Sequence, residues 1–299
     1  MSNENETSPR QRQGANRGPT VSVVIPTFNR SELVARAISS VQGQTYSNLE
    51  IIVVDDASRD DTQEVVAQIS DGRLRYIRHE TNRGGSGARN TGILAATGEY
   101  ISFLDDDDEW APTKTEEQLL MLRDYDVVLC TSDEHRRGID RFGVKILVDL
   151  DDLRKGDFTA GGTGVLMAKT SILKETMFDE TLPRCQDWDI FIRIAKKHRI
   201  GYINKPLVRY NEGEHGRISN VILNMPRADL EKRLVMLDKH REFFGGKWYR
   251  RHLAGFLLYG IKHRTDKLRH LAYTVRRCGI AAVVRALSRR AYQKLTGTV

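Results

Sequence analysis

The chain is poor in the residues that cross-link a fold or carry it through a membrane. Its 299 residues include three cysteines, Cys130, Cys185 and Cys278. They are odd in number and far apart, so they make a poor disulfide framework and lack the paired spacing of a zinc site. A reducing compartment, the cytoplasm, is the expected location. Long apolar runs are missing as well: the longest near the C-terminus, Leu253 to Ile261, spans nine residues, against the ~20 that a membrane-crossing helix requires. Residues 1–19 are rich in Asn, Glu, Gln, Arg, Ser and Gly with no apolar centre, which predicts a disordered polar tail rather than a secretory signal. Zinc-finger and RNP patterns are absent, so nucleic acid is not an expected partner.

With 39% hydrophobic and 29% charged residues, the composition is that of an ordinary globular protein, so function has to be read from sites. The net charge of +7 is unevenly placed. From Lys247 onward there are thirteen Lys or Arg and one acid, Asp266, so this stretch carries +12 and the remainder −5. A tail so basic is expected to meet an anionic surface such as lipid headgroups. Within it, Ile280, Val283, Val284, Leu287 and Ala291 follow helical spacing on one side, while Arg285, Arg289, Arg290 and Lys294 fall largely elsewhere. That is the pattern of a basic interfacial helix attached peripherally on the cytoplasmic face of a membrane, the alternative being a solvated helix packed back on the domain.

The first half alternates β-branched runs (Val21 to Ile25, Ile51 to Val54, Leu74 to Ile77, Tyr100 to Leu104) with helical segments (Ser31 to Val41, Asp61 to Ile69, Gly87 to Ala96). This repetition predicts an α/β fold with a mostly parallel, Rossmann-like sheet flanked by helices. Ligands of such sheets bind beyond the carboxyl ends of the strands. Those ends carry Pro26-Thr27-Phe28-Asn29, Asp55-Asp56-Ala57-Ser58 and Asp105-Asp106-Asp107-Asp108. The second half is less regular, with strands near Gly164 to Met167 and Gly201 to Ile203, a helix from Gln186 to Lys197, and mainly helical sequence from Pro226 onward.

Four consecutive acids at a buried strand's end have few uses besides holding a hard cation. Mg²⁺ or Mn²⁺ fits, since these ions take one or two carboxylates and complete their shell with substrate phosphates and water. The blander alternative is a helix N-terminus, where acids are favoured. Asp55-Asp56 equally suits a turn. Asn82-Arg83-Gly84-Gly85-Ser86-Gly87-Ala88-Arg89-Asn90 is a glycine-rich loop entering a helix, a place where phosphate binds to backbone N–H groups. It fits neither the dinucleotide fingerprint nor the P-loop pattern. Arg89 is placed to pair with a diphosphate through its fork of donors.

Taken in order, Ser22-Val23-Val24-Ile25-Pro26-Thr27-Phe28-Asn29-Arg30, Val53-Val54-Asp55-Asp56-Ala57-Ser58, Ala88-Arg89-Asn90-x-Gly92, Gly98-Glu99-Tyr100-Ile101 and Leu104-Asp105-x-Asp107-Asp108 resemble the family 2 glycosyltransferases of the GT-A fold. The resemblance runs over roughly residues 20 to 215. It divides the chain into a tail (1–19), a GT-A domain (20–225) and a helical basic extension (226–299). It implies a site for a nucleotide-diphosphate sugar built from Pro26, Thr27, Phe28, Asn29, Asp56, Arg89, Asp105 and Asp106. Asp105-x-Asp107 matches the family's Asp-x-Asp signature, with Asp107 the ligand of Mg²⁺ or Mn²⁺. Arg184-Cys185-Gln186-Asp187-Trp188-Asp189 is similar to the segment that supplies the catalytic base, which makes Asp187 the candidate base. Gln186 stands where the family usually has Glu. His215 lies where relatives often carry a metal- or phosphate-contacting residue.

The implied reaction is inverting. Asp187 takes the proton of an acceptor hydroxyl, which attacks the anomeric carbon opposite the departing nucleoside diphosphate. The expected acceptor is a saccharide or a lipid-linked acceptor, in cell-envelope polysaccharide, lipid-linked saccharide or glycoprotein glycan synthesis. The alternative is a catalytically inactive relative that holds a nucleotide sugar or carbohydrate.

Overall fold

Seven consecutive buried residues, Val21–Thr27, form strand β1 at the centre of the sheet. Such a run, with no polar alternation, is what a strand covered on both faces requires. The computed structural model describes residues 18–133, 147–156, 162–211, 225–259 and 261–296. On one side β1 pairs in parallel with β2 (Leu49–Asp55), which pairs in parallel with β3 (Leu74–Arg78); on the other it pairs in parallel with β4 (Tyr100–Phe103).

Helices α1 (Ser31–Gln42), α2 (Thr62–Ala67) and α3 (Gly84–Ala95) alternate with these strands. In α1 the buried residues are Val34, Ala37, Ile38 and Val41, the i, i+3, i+4, i+7 stripe of an amphipathic helix. α3 lies so close to the sheet that a Cβ on Gly92 would stand 2.2 Å from Val24 Cγ1. A glycine is therefore required at this crossing. The predicted order of elements in this half is the one observed, with α2 shorter than the expected 61–69 segment.

Beyond β4 the sheet turns mixed. After β5 (Glu109–Trp110), α4 (Lys114–Met121), β6 (Val127–Ser132), β7 (Leu147–Val148) and α5 (Leu150–Lys155) come β8 (Leu166–Lys169), α6 (Thr170–Thr176), α7 (Gln186–Ala195) and β9 (Ile200–Arg209). The sheet runs β3-β2-β1-β4-β8-β6-β9-β5, with β7 on β9. β8 is antiparallel to both β4 and β6, while β6 and β9 are parallel. The mostly parallel sheet thus describes the first half, and β8 reverses the direction.

One feature of this region was not foreseen. Lys114 is fully buried, its Nζ donating to Ser102 Oγ (2.9 Å) and Gln118 Oε1 (2.7 Å) and standing 3.8 Å from the centre of the Trp110 ring. Burial lowers its pKa to about 8.

The C-terminal residues form α8 (Arg227–Lys232), α9 (Val235–Lys239), α10 (Arg241–Leu258), α11 (Lys267–Cys278) and α12 (Ile280–Thr296). α10 breaks at Gly245, whose φ of 64° suits glycine. Its aromatic face meets α7, with the Trp188 ring 5.2 Å from Phe244 and 4.8 Å from His252, edge to face. No helix among the described residues is long and apolar enough to cross a membrane.

Candidate active site

The parallel strands β1, β2 and β4 all end at the same edge, so the loops that follow them are brought together there. Asp56 N–H donates to Thr27 O (2.9 Å) just past β1 and β2, and Leu104 N–H donates to Val24 O (3.1 Å) just past β4. The residues beyond these bonds line one cleft of about 720 Å³. Pro26, Thr27, Phe28, Asp56, Arg89, Asp105, Asp106, Asp107 and Asp187 all contribute to it. Nine of the eleven expected site residues therefore share one cavity.

Asn29 is turned to other work: its Oδ1 accepts from Arg59 N–H (2.7 Å) and its N–H donates to Ser58 Oγ (2.8 Å), tying the β1 loop to the β2 loop. Its φ of 53° is one that Asn tolerates. His215 lies outside the described residues.

Asp56 organises the glycine-rich loop. Its Oδ1 accepts from Arg83 N–H (2.8 Å) and lies 2.7 Å from His79 Nδ1, and its Oδ2 accepts from Gly84 N–H (2.7 Å). The carboxylate thus satisfies donors at the start of α3 that would otherwise lack partners. Asp55, the other acid of the pair, is fully buried and accepts from Ser58 N–H (2.8 Å) and the Tyr76 hydroxyl. It holds the turn from below.

The four acids after β4 divide in the same way. Asp106 is buried and accepts from Thr27 Oγ1 (2.8 Å) and Arg30 Nη1 (2.8 Å). Burial pushes its pKa up to about 6 against the opposing pull of Arg30. Asp107 accepts from the same Arg30 nitrogen (3.0 Å), and Asp105 accepts from Arg89 Nη2 (2.5 Å) and Thr163 Oγ1 (3.2 Å). Asp108 is buried and accepts from Asn211 N–H (3.4 Å). Arg89 Nε is buried without a hydrogen-bond partner among the described residues. Asp187 lies in the first turn of α7, where burial raises its pKa, with Arg89 pulling the other way.

Six carboxylates and two arginines, Arg30 and Arg89, therefore face one cleft. Like charges at this range are stabilised by a cation or by donors. The donor set is all carboxylate oxygen, which is the chemistry of Mg²⁺ or Mn²⁺. Among the described residues no three carboxylates, imidazoles or thiolates converge to hold a metal on their own.

Two lining residues were missed in the sequence, Arg30 and Tyr210. Arg30 had a signal, since it directly follows the strand-end motif. Tyr210 had none, because only the parallel pairing of β9 with β6 carries its loop to this edge.

Residues 22–198 match the family model of Glycosyl transferase family 2. The chain belongs to that family. It is 33% identical over 204 residues to the putative colanic acid biosynthesis glycosyl transferase WcaA of Escherichia coli K12, covering 60% of this chain and 67% of that one. It is 42% identical over 102 residues, 34% of this chain and 40% of the other, to the E. coli UDP-Glc:alpha-D-GlcNAc-diphosphoundecaprenol beta-1,3-glucosyltransferase WfgD. A glycosyltransferase of Rickettsia conorii is 33% identical over 62% of this chain, which spans only 32% of that longer protein. Among solved structures, the mannosyltransferase PcManGT of Pyrobaculum calidifontis, in complex with GDP-Man and Mn²⁺, superposes with a TM-score of 0.62 at 19% identity, over 94% of this chain and 84% of that one. The fold is therefore of the GT-A type.

Proposed function

We propose that the chain is an inverting, metal-dependent glycosyltransferase that moves a sugar from a nucleotide diphosphate to a hydroxyl of a lipid-linked saccharide. Residues 20–225 hold the catalytic fold and residues 226–299 a basic helical extension. The observation that carries this reading is the gathering of Asp105, Asp106, Asp107, Arg89 and Asp187 in one cleft in front of the glycine-rich loop. The acceptor class rests on the lipid-linked acceptor named for WfgD, and peripheral attachment to a membrane would bring the enzyme to it.

In this reading Pro26, Thr27 and the exposed ring of Phe28 bound the nucleoside end of the cleft, with Asn29 stiffening the loop beneath. Asp56 serves the base indirectly, by holding the Arg83–Gly84 backbone, and directly through lone pairs that remain to it. Asp106 positions the ribose end. Asp107, with Asp105 beside it and His215 as a further candidate ligand, would hold Mg²⁺ or Mn²⁺. That ion, when bound, neutralises charge on the leaving diphosphate. Arg89 adds donors for the same phosphates and keeps Asp105 oriented.

Asp187 works on the acceptor. Its pKa is raised by burial, and a stronger base accepts a proton more readily, so the environment suits deprotonation of the attacking hydroxyl. The proton moves to the Asp187 carboxylate as the acceptor oxygen bonds to the anomeric carbon and the diphosphate leaves from the opposite face.

The test is a screen of nucleotide sugars for binding and slow hydrolysis, with and without Mn²⁺ or Mg²⁺, using the wild type beside Asp107→Ala. Metal-dependent binding of one donor, lost in Asp107→Ala, is the expected result. Absence of binding by every donor under every metal condition would overturn the reading.

A further inference from the structure

A second cleft, of about 520 Å³, lies between α10, α11 and α12 and shares no residue with the first. Six cations line it: Lys247, Arg250 and Arg251 from α10, Arg276 and Arg277 from the end of α11, and Arg285 from α12. Among the described residues no carboxylate does. The one ion pair described for these six joins Arg277 to Glu231 at 3.3 Å. α12 starts at this cleft with no acid in its first turn, so its free N–H groups add to the positive field rather than offset it.

Beside the cations runs an apolar stripe. Ile280, Val284 and Leu287 are 70%, 54% and 37% exposed, whereas Val283 and Ala286 are buried. The exposed three are spaced i, i+4 and i+7, one line along α12. The helix therefore turns one apolar side to its neighbours and presents a second to solvent.

Clustered like charges and exposed aliphatic side chains are both unfavourable in water, and different partners relieve them to different extents. A nucleic acid answers the charge and leaves the aliphatic stripe unused, and an acidic protein answers both only with an apolar patch shaped to the stripe beside its acids. An anionic bilayer answers both, with headgroup phosphates against the guanidinium groups and the acyl boundary against the stripe. We propose that the α10–α11–α12 cleft, together with Ile280, Val284 and Leu287, is a docking surface for an anionic phospholipid bilayer. The surface is coupled to the cleft at the strand ends through α10, which carries three of the six cations and packs by Phe244 and His252 on Trp188, the neighbour of Asp187. Docking thus sets the placement of α7 relative to the membrane.

Flotation of the full chain with phosphatidylcholine vesicles, and with phosphatidylcholine vesicles containing phosphatidylglycerol, tests the proposal. Binding is expected on the anionic vesicles only, and it weakens as salt is raised. At about fivefold per cation near the surface, the triple variant R250Q/R276Q/R285Q binds on the order of 10²-fold more weakly. The variant I280S/V284S/L287S also loses binding while keeping the salt dependence of what remains. All six positions are exposed, so circular dichroism of both variants should match the wild type. Equal binding to both vesicle types, no binding to either, or parental binding by both variants would overturn the docking surface. So would a concentration-dependent rise in mass, or capture of duplex DNA, that the cation variant abolishes while vesicle binding persists. Neither donor nor acceptor enters this assay, so its failure would leave the transferase reading standing.

Discussion

Replacing Asp189 with alanine should loosen the helix that carries the candidate base, by an amount the surroundings of the carboxylate allow to be sized. Asp189 is fully buried in α7, and its two oxygens meet three partners: Arg193 Nη2 at 2.7 Å, Lys239 Nζ at 2.8 Å and His240 Nε2 at 2.7 Å. Burial alone would raise its pKa, but these hydrogen bonds hold it well below the ordinary carboxylate range. Arg193 in turn donates to Met177 O (2.7 Å), so one carboxylate ties α7 both to the end of α6 and to the α9–α10 junction.

Breaking a buried ion pair by removing one partner costs about 3–5 kcal/mol. Arg193 and Lys239 keep 24% and 31% of their side-chain exposure, so solvent recovers part of that, and about 2–4 kcal/mol is the working figure. At ~2–4 °C per kcal/mol, the melting temperature falls by about 4–16 °C. The sign of the pH dependence follows from the lowered pKa. The stabilisation is complete above the unfolded carboxyl's pKa, near 3.9, and fades as pH falls below it. Thermal melts of the wild type and Asp189→Ala by circular dichroism, at pH 7 and in steps down to about pH 3, should show a gap that narrows only at the acid end. A difference under about 2 °C at pH 7, or a gap that persists on acidification, would refute the clamp.

Asp187→Asn should bind donor as the wild type does and turn over ~10²–10⁴-fold more slowly. Because burial raises the pKa of Asp187, activity of the wild type should be lost on acidification at a higher pH than an ordinary carboxylate would give; wild-type turnover by Asp187→Asn would remove it as base. Lys114→Met tests the buried amine. Its pKa near 8 lies below the unfolded value of ~10.4, so between the two this amine holds its proton more in the unfolded chain, and its own contribution to stability rises with pH across that window by about 3 kcal/mol. Denaturant titrations should show the stability of the wild type rising relative to that of Lys114→Met across this window, and a difference that stays constant would refute the assignment. Arg30→Met removes the cation that holds Asp106 and Asp107 at 2.8 and 3.0 Å. Calorimetry should find Mn²⁺ bound severalfold more tightly in the absence of donor, and unchanged or weaker binding would show that Arg30 and the metal do not compete.

The strand ends were legible in the sequence because parallel α/β topology sends every strand's C-terminus to one edge. Pro26, Asp56 and Asp105 could therefore be placed together before any contact was known. Their internal division of labour was not legible. Asp55 and Asp56 are adjacent and chemically identical, yet Asp55 packs beneath its turn while Asp56 caps α3. Strand alternation, which the identity of the residues does not reveal, decides which of the two points down. Strand β6 was missed for a related reason: Val127 to Leu129 are apolar enough, but they sit between the irregular Asp124–Asp126 segment and the antiparallel β8, whose reversal leaves no periodic mark.

At the C-terminus, helical spacing put Ile280, Val283, Val284, Leu287 and Ala291 on one side of a helix, whereas Val283 is buried and Ile280, Val284 and Leu287 are exposed. Periodicity reports the angular position of a side chain about its own axis, and coverage depends on where neighbouring helices lie. Here α12 packs on α10 and α11 with Val283 and Ala286 buried, leaving Ile280, Val284 and Leu287 outside. A helix packed on one side alone would have hidden all of its aliphatic residues together. One that divides them between a buried line and an exposed line beside six cations presents two apolar lines, and the protein's own core covers only the first.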